Sequence, residues 1–492
     1  MELNFNIRNP PSCTTTLGEH DKQISLAHAA PSTRGAHKQL SISRSLPCLR
    51  SVALTLALAL LPTHCITEKA EAAKPSNARA VFAHYMVCFA TYGATVEGYK
   101  REIKEAQAAG IDGFALNVGA WTNEPHYVRR TKLLFQAAQE LGTGFTMIFS
   151  LDLATLQPKY IAEILKTYVN HPNFYRYKGR SLVSTFAGEN VDWKSILQPL
   201  KTEGYNICFV PFFYPKPVTE LPSYQAVKGH FARYADIADG YFFFGAAGTA
   251  EQLTECNTSY VKAAREANKL VMASYSPFYW GMAQPGRRYY ETKGGKGIEM
   301  QWKSIIANQP NFVEIVTWND FNESYLTPVD KPEQYFSGLK SPRRHSHVAY
   351  YELLKYFIPW YRTGKEPKIE RDGLFYFYRV HPKSAVLRPP ITEPATAKKL
   401  AVTVFHGDVT DTIYVTTLLK SPAELIVKTG DKEVKLHASE GYQSFEVPFR
   451  TGVQRFALVR KGKVIAESEG EPIVAEPTEY NFFPTTGFVY GK

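Results

Sequence analysis

The chain has 492 residues, of which 44% are hydrophobic and 13% aromatic, and it carries a formal net charge of +11. This length and apolar content suit one large domain followed by a second, and they exclude a disordered chain. The positive charge is spread out, without the basic runs typical of nucleic-acid binders, so we expect no nucleic-acid partner.

Residues 1–72 have the composition of an export signal. A polar leader is followed by Arg44 and Arg50, an apolar run over residues 52–61 and the small-residue sequence AEA at 70–72. This order matches the basic, apolar and cleavage regions of a signal peptide, although the leader is unusually long. The apolar run is too short for a stable membrane span. Cys65 leaves a lipoprotein as the alternative.

Cysteines occur at positions 13, 48, 65, 88, 208 and 256, and only the last three follow the export signal. Cys88 and Cys208 fall in predicted strands, where a free thiol packs as a small apolar side chain. The spacing matches neither a zinc site nor a disulfide framework. We therefore expect neither a metal site nor a cofactor.

Residues 78–364 alternate between strand-like and helix-like segments. Short apolar runs typical of buried parallel strands lie at 81–87, 111–118, 144–151, 181–186, 207–213, 240–245, 270–274 and 312–318. Between them, apolar residues recur at three- and four-residue steps, as in 95–109, where Thr95 is a candidate cap and Gly110 a stop. Eight repeats predict a (β/α)8 TIM-type barrel, with an open doubly wound sheet as the alternative.

Polar side chains crowd the end of the eighth predicted strand, in WNDFNES at 318–324. Asp320 and Glu323 are carboxylates three residues apart, and Trp318 and Asn319 precede them. Chemistry in parallel sheets lies at the carboxyl ends of the strands, and paired carboxylates are what glycoside hydrolysis needs. The alternative is a capping box, in which both carboxylates satisfy helix amides. Trp318 either stacks on a sugar or supports Asp320 from behind.

Other candidates lie at the ends of earlier strands. Asp152 ends the third strand and is either catalytic or the cap of a turn. Asn117, near the end of the second strand, offers an amide to sugar hydroxyls. His84 in the first strand is either a substrate ligand or a core histidine. Glu189 follows the fourth strand and reaches either the cleft or the surface.

Aromatic side chains provide candidate platforms for sugar rings. The long loop over residues 275–297 contains Tyr279 and Trp280, and long aromatic loops on the carboxyl face of a sheet often form a substrate cleft. Trp121 and Tyr325 are further candidates. The alternative is that these rings belong to a structured lid or to the core.

After residue 364 the pattern changes to short strands separated by turns, at 375–380, 400–405, 412–418, 423–428, 433–436, 443–447 and 454–460. This pattern predicts an all-β sandwich over residues 365–492, with the segment 389–394 inside a long connection. A carbohydrate-binding role and a purely packing role both remain open for this region.

Four sequence blocks resemble glycoside hydrolase family 71, the α-1,3-glucanases or mutanases. They are VFAHYMV at 81–87, AAGIDGFALNVG at 108–119, LVSTFAG at 182–188 and PNFVEIVTWNDFNES at 310–324. The resemblance implies a (β/α)8 barrel with a β-sandwich. It also implies endo-type hydrolysis of α-1,3-glucan with inversion at the anomeric carbon and without a metal.

The resemblance implies an acidic centre of Asp320, Glu323 and Asp152. Members of the family usually have WNDYGES, so Asn322 replaces a glycine here. A larger departure is FFFGAAG at 242–248, where the family tends to have aromatic and acidic residues after the sixth strand. This difference leaves hydrolysis of another polysaccharide as an alternative. A separate alternative is a non-catalytic polysaccharide-binding surface protein, in which the carboxylates would be structural and the aromatic residues would bind.

Two sequences match the N-glycosylation triplet, at 257–259 and 322–324. A glycan on Asn322 would block the proposed centre. The sequence therefore favours either an export route without N-glycosylation or an inaccessible loop. We expect a secreted, periplasmic or cell-surface protein of bacterial origin.

Overall fold

A computed structural model describes residues 79–217, 221–281, 288–329, 345–385, 403–478 and 481–492, and these residues belong to one compact unit. The predicted export signal lies outside the described residues, as do the segment 389–394 and residues 282–287 of the aromatic loop. In the part of the chain that is described, no helix is both long and apolar enough to cross a membrane.

One curled sheet contains eight parallel strands, and all eight predicted strands form. They are β1 (Ala80–Met86), β2 (Gly113–Val118), β3 (Thr146–Asp152), β5 (Arg180–Phe186), β6 (Ile207–Phe209), β7 (Gly240–Phe242), β8 (Leu270–Tyr275) and β11 (Phe312–Ile315), with the short β4 (Arg176–Tyr177) antiparallel to β5. The parallel strands lie in the order β6-β5-β3-β2-β1-β11-β8-β7. Between β6 and β7 we find no ladder, but the Asp239 amide donates to the Phe209 carbonyl and the Phe242 amide to the Pro211 carbonyl.

A helix follows each of these eight strands. The helices are α1 (Val96–Ala108), α2 (His126–Leu141), α3 (Ile161–Tyr168), α4 (Trp193–Thr202), α5 (Tyr224–Arg233), α6 (Ala250–Glu266), α7 (Gly294–Asn308) and α8 (Val348–Thr363), with 3₁₀ turns at Trp121–Asn123 and Pro158–Tyr160. Local chemistry sets their starts: Thr95 accepts a bond from the Gly98 amide, as predicted, and Thr249 forms a capping box with Gln252.

Alternation along the strands separates two cores. In β1, Val81, Ala83 and Tyr85 pack in the cluster that includes side chains of the surrounding helices. Ala80 and Phe82 point the other way, into a second cluster to which all eight parallel strands contribute. Because successive strand residues face opposite sides, one side of the sheet is covered by helices and the other encloses its own apolar filling.

The carboxyl-terminal region forms two antiparallel sheets, ordered β19-β16-β14-β22 and β18-β17-β20-β21. Their strands are β14 (Gly373–Arg379), β16 (Thr412–Leu419), β17 (Ala423–Thr429), β18 (Lys432–Ala438), β19 (Gly441–Pro448), β20 (Gly452–Arg460), β21 (Lys463–Ile473) and β22 (Pro484–Tyr490). Side chains of both sheets share one hydrophobic cluster, in which the ring of Tyr376 stacks on Phe456 at 4.2 Å. The last two strands were not predicted.

Short strands build two smaller sheets. β9 (Tyr279–Gly281) and β10 (Arg288–Tyr290), from the long aromatic loop, form a sheet with β15 (Val404–His406). The prediction that the segment 400–405 belongs to the sandwich is therefore wrong, because its described end pairs with the aromatic loop of the first region. β12 (Asn319–Asp320) and β13 (Ser324–Tyr325) form a hairpin directly after β11.

Candidate active site

The WNDFNES sequence forms the hairpin β12–β13 at the carboxyl end of β11. The Asn322 amide donates to the Asp320 Oδ1 at 3.1 Å, and the Glu323 amide donates to the Asp320 carbonyl at 3.1 Å. Asp320 and Glu323 are both partly exposed, whereas most of their neighbours are buried. No helix begins between residues 319 and 325, so the capping-box alternative is wrong.

Asn319 fastens this hairpin to the end of β1. Its Oδ1 accepts from the Met86 amide at 2.7 Å, and its Nδ2 donates to the carbonyls of Met86 at 3.1 Å and Phe89 at 2.7 Å. The side chain is fully buried. All three bonds go to main-chain atoms, so the amide holds the backbone that carries Asp320. A substrate contact by Asn319 stays a prediction.

Trp318 is fully buried and packs behind the hairpin. Its amide donates to the His84 carbonyl at 2.7 Å, and its indole Nε1 donates to the Glu102 Oε2 at 3.0 Å. This packing favours the second role considered for Trp318, the support of Asp320 from behind. Stacking on a sugar is untested.

Glu102 is a buried carboxyl group that the sequence reading did not identify. It lies on α1 and accepts from Tyr85, Thr91 and Trp318. Burial raises the pKa of Glu102 to about 7, against the opposing effect of these donors. The sequence feature that could have revealed Glu102 is the position of this acidic residue next to Ile103, on the apolar face of the predicted helix.

Asp152 ends β3, as predicted, and its carboxyl group lies with Asn117 and His84. Its Oδ1 accepts from the Ala154 amide at 3.1 Å, and the Asn117 side chain also donates to it. Burial raises the pKa of Asp152 to about 6, and these donors and the nearby His84 oppose the rise. A carboxyl group with this pKa can change protonation near neutral pH, as an acid–base group must.

Glu314 is a second buried carboxyl group that the sequence reading missed. It lies within β11, is fully buried, and its Oε1 is 2.7 Å from the His84 Nδ1. Burial raises the pKa of Glu314, and the bond to His84 opposes the rise. His84 is thus held by Glu314, and it also interacts electrostatically with Asp152. The sequence feature that could have revealed Glu314 is a charged residue inside the run of β-formers at 312–317.

The interior of the sheet becomes polar toward its carboxyl end. Buried polar atoms without a hydrogen-bond partner there include the Asn117 Oδ1, Ser150 Oγ, Ser184 Oγ and Glu314 Oε2. Asn117, Ser150 and Ser184 are register neighbours on β2, β3 and β5. Because buried polar groups are normally paired, this row marks a polar floor beneath Asp152 that can bind polar groups.

Comparison with known proteins places these residues in a family context. The family model for Glycosyl hydrolase family 71 matches residues 77–491. The chain belongs to this family. It is 30% identical over 434 residues to the glucan endo-1,3-alpha-glucosidase agn1 of Schizosaccharomyces pombe, which covers 83% of this chain and 94% of that protein. It is 27% identical over 441 residues to the mutanase Pc12g07500 of Penicillium rubens, covering 86% and 91%.

Among solved structures, a GH99 endo-alpha-mannosidase from Bacteroides thetaiotaomicron aligns with a TM-score of 0.44 and 15% identity, over 57% of this chain and 97% of that one. The resemblance to glycoside hydrolase family 71 is confirmed by the family match, and the protein is a glycoside hydrolase. The expected bacterial source is not supported, because both sequence relatives are fungal.

The sixth strand of this family 71 chain keeps an aromatic ring in the site. Phe244, from FFFGAAG, is partly buried and lies edge-on to the His84 ring at 4.9 Å and to the Phe186 ring at 4.9 Å. The departure from the family pattern at the sixth strand therefore still leaves an aromatic side chain beside His84.

The predicted aromatic platforms are buried. Tyr279 and Trp280 are 2% and 0% exposed, and the Trp280 amide donates to the Glu323 carbonyl at 3.0 Å. Tyr325 donates to the His345 carbonyl at 2.9 Å, and Trp121 donates to the Glu163 Oε1 at 3.1 Å. Trp280 therefore contacts the acidic hairpin directly, and Tyr325 is part of that hairpin. Sugar contacts by these four rings stay predictions.

Glu189 lies beside a surface cavity. Its carbonyl accepts from the Tyr234 hydroxyl at 3.0 Å, and its Oε2 is buried. Tyr234 lines a cavity of about 270 Å³ together with Tyr214, Lys216, Gln225, His230 and Arg233, among others. The Tyr214 ring also contacts Phe186 at the end of β5, so the cavity lies at the carboxyl end of the sheet.

Within the described ranges, no group of three or more His, Cys, Asp or Glu side chains is arranged to hold a metal ion. The three cysteines of the described chain, Cys88, Cys208 and Cys256, are free and buried. Asn257 of the first glycosylation triplet is also buried, and its Nδ2 donates to the Ser274 carbonyl at 2.8 Å. In the folded protein that amide is thus engaged in the core.

Proposed function

We propose that this protein is an exported endo-acting hydrolase of α-1,3-glucan. The observation that carries the proposal is the position of Asp320 and Glu323 on one hairpin at the carboxyl end of the sheet, fastened to the strand that carries His84, with Asp152 close enough to His84 for their charges to interact. The name of the relative from Schizosaccharomyces pombe, a glucan endo-1,3-alpha-glucosidase, supplies the substrate class and the endo action.

In the proposed reaction, one of Asp320 and Glu323 protonates the leaving glycosidic oxygen and the other activates water. Inversion at the anomeric carbon requires the two carboxyl groups to stand roughly 6.5–9.5 Å apart, so that water fits between one of them and the sugar. Asp152 orients the water or stabilises positive charge on the sugar ring. Asn117, His84 and Glu189 bind sugar hydroxyls, and no cofactor takes part.

The proposal includes a closed (β/α)8 barrel over residues 78–364 and a β-sandwich over residues 365–492. Two observations support closure: main-chain hydrogen bonds join the β6 and β7 regions, and all eight parallel strands contribute to the enclosed apolar cluster. The shared cluster of the two carboxyl-terminal sheets supports the sandwich. Export rests on the signal-like sequence of residues 1–72.

The decisive experiment measures reducing-sugar release from α-1,3-glucan by Asp320→Asn and Glu323→Gln. We expect both variants to lose activity and to have the same midpoint of urea denaturation as the wild type. Glu424→Gln is the matched control, because Glu424 is an exposed carboxylate on β17, and it should keep full activity. Full activity of both hairpin variants would refute the assignment of Asp320 and Glu323 as the catalytic acid and base.

A panel of α- and β-glucans and mannans separates the main proposal from hydrolysis of another polysaccharide, the alternative motivated by FFFGAAG at 242–248. Anomeric proton signals recorded early in the reaction test inversion. Binding to insoluble glucan without any released product would instead support the non-catalytic alternative.

A further inference from the structure

The segment from His345 to His347 joins the acidic hairpin to β22 of the carboxyl-terminal sheets. The Tyr325 hydroxyl donates to the His345 carbonyl at 2.9 Å. The Thr486 amide and hydroxyl donate to the Ser346 carbonyl at 3.1 Å and 3.0 Å. Tyr325 belongs to β13 and follows Glu323 by two residues, so a short chain of bonds connects a proposed catalytic carboxylate to the second region.

His347 makes the central contact in this connection. The side chain is fully buried. Its Nδ1 lies 3.1 Å from the Tyr325 carbonyl oxygen, and its Nε2 lies 2.9 Å from the Pro484 carbonyl oxygen. Carbonyl oxygens only accept hydrogen bonds, and a neutral imidazole has a single N–H. Both contacts are hydrogen bonds only when both ring nitrogens carry a proton, which is the imidazolium form.

Two neighbouring histidines behave differently. The His345 Nε2 lies 2.8 Å from the Asn481 Nδ2, and its Nδ1 lies 2.8 Å from the Glu471 Oε1. The orientation of the Asn481 amide is fixed, because its Oδ1 accepts from the Phe483 amide. The His381 Nε2 accepts from the Asn481 main-chain amide at 2.8 Å. Each of these rings therefore needs one proton, on Nδ1, so neither of them requires the double protonation that the contacts of His347 require.

The surroundings of His347 suit a cation. The ring centroids of Tyr325 and Phe278 lie 4.0 Å and 4.3 Å from that of His347, and those of Tyr350 and Phe483 lie at 6.0 Å and 6.4 Å. Aromatic faces attract cations. Among the described residues, the titratable side chains whose rings contact His347 are those of Tyr325 and Tyr350. Two acidic groups act on neighbours of His347: Glu471 is bonded to His345, and Glu291 acts on Tyr350.

We propose that His347 is a positioning residue, held as an imidazolium, that ties the hairpin carrying Asp320 and Glu323 to β22. The positioning role rests on the proposed function, whereas the protonation state does not. Under this assignment the carboxyl-terminal sheets are part of the catalytic scaffold. Loss of the proton leaves a ring lone pair facing a carbonyl oxygen and releases one end of the tie.

The protonation state is tested by side-chain ¹⁵N NMR of the wild-type full chain labelled on histidine. At a pH one unit above the ordinary imidazole pKa of roughly 6.5, we expect both His347 nitrogens to have the shift of a protonated nitrogen. A His347→Gln variant assigns the signals, and if it does not fold, contacts of the ring with Phe278 and Tyr325 assign them. A lone-pair shift at either nitrogen overturns the proposal.

The positioning role is tested by the kinetics of His347→Gln. We expect kcat on α-1,3-glucan to fall at least about tenfold with KM within about twofold, because the variant loosens the acid–base groups and leaves the sugar contacts in place. His437→Gln, at an exposed position on β18, is the matched control. An unchanged kcat refutes positioning by His347. Loss of activity in His347→Gln together with full activity in Asp320→Asn refutes the proposed function but leaves the NMR result standing.

Discussion

Replacing Asp152 by Asn separates the chemistry of this carboxyl group from its effect on stability. Burial raises the pKa of Asp152 from 3.8 to about 6. A carboxyl pKa that is higher in the folded than in the unfolded chain gives stability that is fully present below the unfolded pKa and is lost as the pH rises through the folded pKa. The difference of roughly 2 pKa units corresponds to about 3 kcal/mol at 1.36 kcal/mol per unit.

Asn carries no charge and keeps an oxygen that accepts from the Ala154 amide, so the variant avoids this loss. We therefore compare the free energy of unfolding of Asp152→Asn with that of the wild type at each pH. The difference, variant minus wild type, should rise by up to about 3 kcal/mol between about pH 4 and pH 7, because the wild type loses stability over this range. Hydrolysis of α-1,3-glucan should be lost at both pH values. Urea denaturation at the two pH values measures the first effect, and reducing-sugar release measures the second.

Asp192→Asn is the control of opposite sign. The side-chain and main-chain bonds from Ser195 lower the pKa of Asp192, so its ionised form stabilises the fold at neutral pH and this stability is lost as the pH falls. The relative stability of that variant should therefore fall, not rise, toward pH 7. If the stability difference of Asp152→Asn does not change with pH, the argument from a buried carboxyl group is wrong.

Two further substitutions test the supports of the site. Glu314→Leu should lower the free energy of unfolding by about 2–3 kcal/mol, because the buried His84 N–H loses its acceptor. Glu314→Gln keeps an acceptor and should lower it by only about 1 kcal/mol. Equal losses of the two variants in urea denaturation would contradict this reasoning. Asn319→Ala removes three bonds to Met86 and Phe89 and should cost about 3 kcal/mol and lower kcat. A variant with wild-type kcat and stability would show that the hairpin does not depend on this amide.

The sequence pattern predicted the parts of the fold that repeat locally. All eight parallel strands and the helices between them form close to their predicted positions, because burial on both sides leaves continuous apolar runs and helices leave a regular spacing. β21 and β22 escaped prediction for a physical reason. In β21, KVIAESEGEPI, charged and polar residues, a glycine and a proline interrupt the β-formers after Ile465. β22 begins with Pro484 and contains Gly487, so neither strand has the uninterrupted β-formers of the strands that were recognised.

The sequence pointed to candidate site residues only where chemistry and position coincide in a short segment. Asp152 and the hairpin carboxylates stand at strand ends, which the sequence marks. Glu314 and Glu102 were missed because their partners are distant in the chain: 230 residues separate Glu314 from His84, and 216 separate Glu102 from Trp318. In the sequence, a charged residue inside an apolar strand or on the apolar face of a helix has no visible partner. Its partner comes from a distant part of the chain and is known only from the folded structure.

The aromatic residues show how burial decides between two uses of the same side chain. A stacking platform needs an exposed ring face, but Trp121, Trp280, Trp318 and Tyr325 are each at most 2% exposed. Trp280, Trp318 and Tyr325 pack in or against the acidic hairpin, where large rigid side chains fix a backbone well. Trp121 instead contacts Glu163 and Tyr168 on α3. Partly exposed rings at the carboxyl ends of strands, such as Phe186, Tyr214 and Phe244, have the access that the buried ones lack. Buried aromatic side chains therefore help to hold the hairpin that carries Asp320 and Glu323, and sugar stacking by any of these rings stays a prediction.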